Sequence, residues 1–148
     1  MTSPKKEFNP GQFTILDEPD AQDIQFLDDR IYEFNVEQTG ITDGRLLAIF
    51  LRDGDDNIIA GLYGWTWGRC CEIKTFWIHK EWRKIGLGTC LMAAAEAEAR
   101  ARGAEHIVLT THSFQAPDFY RRFGFEQVGY FEDYPSGHRE IFMRKKLG

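Results

Sequence analysis

An apolar, strand-like run ends in two closely spaced glycines and passes straight into an alanine- and leucine-rich helical run, and few folds accommodate that junction. The stretch reads Phe76-Trp77-Ile78-His79-Lys80-Glu81-Trp82-Arg83-Lys84-Ile85-Gly86-Leu87-Gly88-Thr89. The first amides of a helix have no internal partner, and the macrodipole places partial positive charge beside them. Glycines let the backbone come close to a phosphate, while Arg83 and Lys84 add charge. These residues point to an anion at the start of the helix. The same glycines would also serve a helix that simply starts close to a strand, and Gly-x-Gly alone leaves both open. Two other phosphate loops do not fit. A Walker loop needs Gly-Lys-Ser/Thr, whereas Gly88 is followed by Thr89-Cys90, and a dinucleotide fingerprint needs a small residue where Leu91 stands.

Around this junction the hydrophobic pattern predicts alternating strands and helices. Residues 13–16 are apolar enough for a first strand. Ile24, Leu27, Ile31, Phe34 and Val36 recur at roughly helical spacing over 20–38, and Gly40 follows as a stop. Strands are expected over 46–51 and 58–67, joined by the turn Asp53-Gly54-Asp55-Asp56-Asn57, and over 72–79. The clearest helix starts at Gly86 and Gly88 and runs to Arg102, with Gly103 closing it. A strand at 107–111, a short helix at 116–123 and strands at 125–131 and 140–144 complete the chain. A second short helix has room near 39–44. The order is β-α-β-β-β-α-β-α-β-β, an α/β fold with a mixed sheet.

The length of 148 residues suits one domain with one core. Residues 1–11 are polar and read as a flexible tail, which leaves 12–148 as that domain. Without a signal peptide or a bilayer-spanning run, a cytoplasmic protein with no membrane partner is expected. The formal net charge of -5 disfavours a phosphate-tracking nucleic-acid binder and suits a cationic acceptor such as a polyamine, an aminoglycoside-like compound or a Lys side chain. Cys70, Cys71 and Cys90 make no disulfide framework and read as reduced thiols, at least one in the core. The four histidines show no metal-ligand spacing, so no metal is expected.

Arg83-x-x-Gly86-x-Gly88 after a strand, then an Ala/Leu-rich helix, resembles the acyl-CoA pyrophosphate motif of the GNAT superfamily of N-acyltransferases. Phe119-Tyr120-Arg121-Arg122-Phe123-Gly124-Phe125 is similar to that superfamily's Tyr-x-x-x-Gly-Phe segment, at the spacing the family shows. The resemblance covers nearly the whole chain, from about 13 to 147. Ser113 to Pro117 and Asp133 to His138 further resemble a group of small bacterial members. The fold it implies is a mixed, mostly antiparallel sheet of six to seven strands flanked by about four helices. One position departs from the pattern: many relatives carry Asn where this chain has Ser113.

The resemblance implies an N-acetyltransferase using acetyl-CoA as co-substrate and a small-molecule primary amine as acceptor. Backbone amides of Lys84, Ile85, Gly86, Leu87, Gly88 and Thr89 would hold the pyrophosphate, assisted by Arg83 and Lys84. Phe76, Trp77 and Ile78 would offer free backbone groups to pantetheine, with Ser113, Ala116, Phe119 and Arg122 completing the co-substrate site. A backbone N–H on the strand would polarise the thioester carbonyl. Tyr120 is the candidate acid for the leaving thiolate, against a packing role with Phe119 and Phe123. Glu72 is the candidate base, six residues before Ile78, where some members place one. Period-2 alternation puts it on one strand face with Lys74, Phe76 and Ile78. Its alternative is a surface carboxylate paired with Lys74 or another cation.

Tyr63, Trp65 and Trp67 alternate on one strand and share a face, either as core or as the wall of an amine pocket. Tyr32, Glu33, Asn35, Asp133 and His138 are further candidates for that pocket, against ordinary helix-surface and turn roles. Two other activities compete with the main one: a non-catalytic acyl-CoA-binding sensor, and acetylation of protein or aminoacyl-tRNA amines. Relatives are often dimers, and the aromatic-rich C-terminal strands would suit such an interface.

Overall fold

The structure is a computed structural model that describes residues 2–148. The chain divides into two compact units, Met1–Gly40 and Ile41–Gly148. In the first, a 3-10 turn at Pro10–Gln12 precedes helix α1, Ala21–Thr39. Asp20 caps α1 by accepting the Gln22 N–H at 2.8 Å, and Gly40 closes it at φ 72°. The strand expected at 13–16 does not form. A strand is held by its ladder, and no strand pairing involves these residues.

The second unit carries one six-stranded sheet. Its elements are β1 (Arg45–Arg52), β2 (Ile58–Trp67), β3 (Cys70–Ile78), α2 (Leu87–Ala101), β4 (His106–His112), α3 (Pro117–Arg122), β5 (Glu126–Glu132) and β6 (Arg139–Lys146), with a 3-10 turn at Lys80–Trp82. The strand order is β1-β2-β3-β4-β6-β5, antiparallel throughout except for the β3–β4 pair. Among the described residues this is the expected mixed, mostly antiparallel sheet, with six strands and three α-helices. No short helix forms at 39–44. Gly40 ends α1 in the left-handed region, and the following segment is spent on the β2–β3 turn: Ile41 C=O accepts the Trp67 indole N–H at 3.0 Å, and Asp43 Oδ1 accepts the Gly68 N–H at 3.0 Å.

The core lies on one face of the sheet. Leu91, Met92, Ala95 and Ala99 of α2 recur at helical spacing and pack on Leu47, Leu62, Cys71, Ile73, Ile107, Leu109, Ile141 and Met143. Alanines at the helix–sheet contact let the two approach closely. The Cys71 thiol is fully buried there, and burial pushes its pKa up to about 11, which keeps it an inert core thiol. Among the described residues, no helix is long and apolar enough to cross a membrane.

Candidate active site

The junction singled out in the sequence is an uncapped helix N-terminus. Gly86 takes φ 85°, brings no side-chain cap, and its carbonyl accepts the first helical hydrogen bond from Cys90 N–H at 3.2 Å. A Cβ on Gly86 would meet nothing within 4 Å, so there is open space beside the unpartnered amides of Leu87, Gly88 and Thr89. Lys84 also sits at positive φ, 63°. Arg83 turns back on the strand it follows, its Nε–H donating to the Ile78 carbonyl at 2.8 Å, which anchors a guanidinium at the helix start. Gly88 plays a different part. A Cβ there would stand 3.3 Å from Ile78 Cδ1 and 3.6 Å from the Phe119 ring, so its absence lets α2 close against β3 and α3.

Before that junction, β3 leaves the sheet on one side. The parallel β3–β4 ladder covers only Cys70↔His106 to Ile73↔Leu109. Beyond it β4 continues with β6 alone and β3 with β2 alone, so the edges of 74–78 and 110–112 that face each other are unpaired. The ladder to β2 slips at the same place: Ile73 pairs with Gly64 and Thr75 with Tyr63, which leaves Lys74 as the extra residue of a bulge.

The bulge overturns one expectation. Glu72 pairs with Trp65 and Phe76 with Leu62, three residues apart on β2 and so on opposite faces. Glu72 therefore does not share a face with Phe76 and Ile78. Those two lie on the α2 face, and Glu72 lies with Trp65 and Tyr63 on the other. Counting by twos across an inserted residue reversed the parity.

On the α2 face, Phe76, Phe119, Tyr120 and Ile78 come together around Gly88. The Tyr120 ring centroid is 6.5 Å from that of Phe76, 5.3 Å from Phe119 and 5.7 Å from Phe125. Burial pushes the phenol up to about 12, so Tyr120 holds its proton at neutral pH and can donate it. On the opposite face, burial also raises the Glu72 carboxyl above its ordinary value, partly offset by the positive charge of Lys74. Glu72 lines a cavity of about 560 Å³ with Lys74, Val108, Thr110, Phe142 and Arg144.

The other candidates divide. Trp65 stands beside Glu72 in the ladder, whereas Trp67 is drawn to Ile41 and the turn. Ala116 precedes α3 and is half-buried; Arg122 is exposed at the end of that helix. Ser113 Oγ accepts the Arg139 N–H at 3.0 Å, tying the end of β4 to β6. Asp133 Oδ1 accepts the Gly137 N–H at 3.1 Å, and the His138 ring meets Phe114 edge-on, both in the β5–β6 connection. Tyr32, Glu33 and Asn35 lie on α1 in the first unit. There Glu33 pairs with Arg30, and the Asn35 carbonyl accepts the Thr39 hydroxyl at 2.7 Å. Sequence reading missed Lys74 as a bulge, Gly64 beneath it, and Val108 and Arg144 in the cavity. The alternation of β4 and β6 would have put the last two on the outward face, but only the register brings them beside Glu72.

Residues 11–125 match the family model described as the acetyltransferase (GNAT) family. An acetyltransferase from Agrobacterium fabrum is 28% identical over 135 residues, 91% of this chain and 98% of that protein. A blasticidin-S acetyltransferase from Streptomyces morookaense is 35% identical over 94 residues, 61% of this chain and 67% of the relative. A crystal structure of a candidate acetyltransferase from Agrobacterium tumefaciens superposes with a TM-score of 0.81 at 28% identity, covering 92% of this chain and 99% of that one.

Proposed function

The chain belongs to the GNAT family of acetyltransferases, and from that premise we propose that it moves the acetyl group of acetyl-CoA to a primary amine of a small molecule by direct attack. One observation carries this most: the fork between β3 and β4 runs towards an uncapped helix N-terminus with open space beside it. An extended arm with amide groups fits a strand-width gap whose edges belong to no ladder, and a pyrophosphate fits the N-terminus of α2. On those edges the Ile78 carbonyl and the His112 N–H already hold the side chains of Arg83 and Gln115. The name of the Streptomyces relative, an acetyltransferase for blasticidin S, supports a small-molecule acceptor. We take 12–148 as the acting domain, supported by a family match that begins at residue 11, with 1–11 as its tail. A homodimer through the C-terminal strands is part of this proposal, supported by exposed Val128, Tyr130 and Phe131 on β5.

The chemistry divides between the two faces of the fork. The acceptor nitrogen attacks the thioester carbonyl carbon, the N–C bond forms and the C–S bond breaks. A Lys-like ammonium has a pKa of about 10.4, so its proton must go to a base before or during attack. Glu72 takes it from the side of the cavity. Tyr120 delivers a proton to the departing sulfur from the α2 side; the adduct nitrogen sheds its second proton through water, which restores the phenol, and Glu72 returns the first to solvent. Most of the acceleration is proximity, with the two reactants held on either side of one gap.

The test is calorimetric titration with acetyl-CoA followed by thiol release across a panel of amines. Binding with thiol release is expected; absence of binding removes the proposal. Two variants refine it. Gly86→Val costs about 1–2 kcal/mol of backbone strain in the left-handed region but meets no neighbour. The protein should stay folded and bind acetyl-CoA at least roughly tenfold more weakly, through a blocked approach to the helix amides. Unchanged affinity would move the pyrophosphate elsewhere. Tyr120→Phe should lower kcat roughly tenfold to a hundredfold while leaving acetyl-CoA affinity nearly unchanged. An unaltered kcat would return Tyr120 to packing.

A further inference from the structure

A half-buried charge outside an ion pair is costly, and the cavity beside Glu72 is lined by three, the carboxylates of Glu72 and Glu140 and the guanidinium of Arg144. The register lays out one row across the sheet: Trp65 on β2, Glu72 on β3, Val108 on β4 and Arg144 on β6. Residues directly opposed in a ladder point to the same face, so Glu72 and Arg144 stand up from one surface with Val108 between them. Their backbones are two strand spacings apart, about 9.5 Å. Both line the same cavity of about 560 Å³ and both are half-buried. Among the described residues neither belongs to an ion pair, although Glu126 stands opposite Arg144 on β5. Lys74 and the His106 imidazole also line it.

We infer that the acceptor is a short amino acid, an amine that also carries a carboxylate, held with its nitrogen at Glu72 and its carboxylate on the Arg144 guanidinium. This rests on the acetyl-transfer reading and on Glu72 as the base. The two side chains rise on one face from backbones about 9.5 Å apart, a spacing that a short ligand hydrogen-bonded at both ends can bridge. An α- or β-amino acid is of that length. A planar guanidinium grips a carboxylate with two parallel bonds, which fixes orientation as well as charge. Val108 and Phe142 offer an apolar floor for the carbon chain.

The experiment is initial-rate thiol release from acetyl-CoA with matched acceptors: β-alanine against β-alaninamide, several α-amino acids against their amides, and spermidine and an aminoglycoside as acceptors without a carboxylate. The acids should show KM values roughly tenfold to a hundredfold below their amides, the range of a charge-assisted pair. Arg144→Gln should shrink that acid-to-amide KM ratio at least roughly tenfold, and Arg144→Lys should restore part of it. Equal KM values for acid and amide, or a ratio untouched in Arg144→Gln, overturn the amino-acid acceptor. Turnover with spermidine or the aminoglycoside alone overturns it too, while leaving the acetyltransferase standing. Silence from every amine removes both.

Discussion

Glu72→Gln should lose roughly a hundredfold or more of kcat near neutral pH and keep its fold. Burial raises the Glu72 carboxyl in the native state, which means the folded protein disfavours its charged form. For a carboxyl raised in this way, the stability it contributes is fully present below the unfolded value of about 4.3 and is lost as pH rises through the higher folded value. At pH 7 the ionised group is therefore a cost to the fold, and an uncharged glutamine should leave stability equal to the parent's or better. A carboxylate that merely paired with Lys74 would behave in the opposite way, with stability falling and rate unmoved. Urea unfolding and a pH–rate profile separate the two. The parent's acid limb should lie above the ordinary carboxylate range, and the variant should regain part of its rate at high pH, where more of the amine is already neutral. A variant profile identical to the parent's would end the case for Glu72 as base.

Gly64→Ala should be the most damaging single methyl in the sheet. A Cβ at Gly64 would fall 1.8 Å from the Glu72 carbonyl oxygen, 2.8 Å from its carbon and 3.0 Å from Ile73 Cα. All three are backbone atoms, so no rotamer relieves the clash and β3 itself must move. The expected cost is about 2–4 kcal/mol, read as a lower urea midpoint with an unchanged slope. Because the displaced residue is Glu72, turnover should fall further than stability alone explains. Gly54, where a Cβ meets nothing within 4 Å, supplies the control: its alanine variant should stay within about 0.5 kcal/mol of the parent. A Gly64→Ala protein as stable as the parent would mean the bulge does not press on β2.

Both predictions hang on a feature that alternation along one strand does not reveal. The hairpin of β1 and β2 was legible because apolar runs flank an Asp-Gly-rich turn, in which Asp53 accepts from the amides of Asp55 and Asn57. Helix α2 was legible because propensity, spacing and a glycine stop agree. Residues 13–16 misled because an apolar run says nothing about whether a ladder partner exists. Glu72 was found as a candidate, yet its face was assigned wrongly, since one inserted residue at Lys74 exchanges inside and outside for everything downstream. Arg144 stayed hidden for a related reason. Its place beside Glu72 depends on two successive strand registers, and nothing in the 71 residues between them records that alignment.

The short β3–β4 ladder also says something about how the sheet behaves mechanically. Only four residue pairs, from Cys70↔His106 to Ile73↔Leu109, stitch the β1–β3 leaf to the leaf formed by β4, β6 and β5. They sit at one end, like the spine of a half-open book. What keeps the book at its angle is the shared core: Leu62 and Ile73 of one leaf and Ile107 and Met143 of the other belong to the same cluster as Leu91 and Met92 of α2. The gap is therefore a built part of the folded sheet, framed by four pairs on one side and a helix across its back.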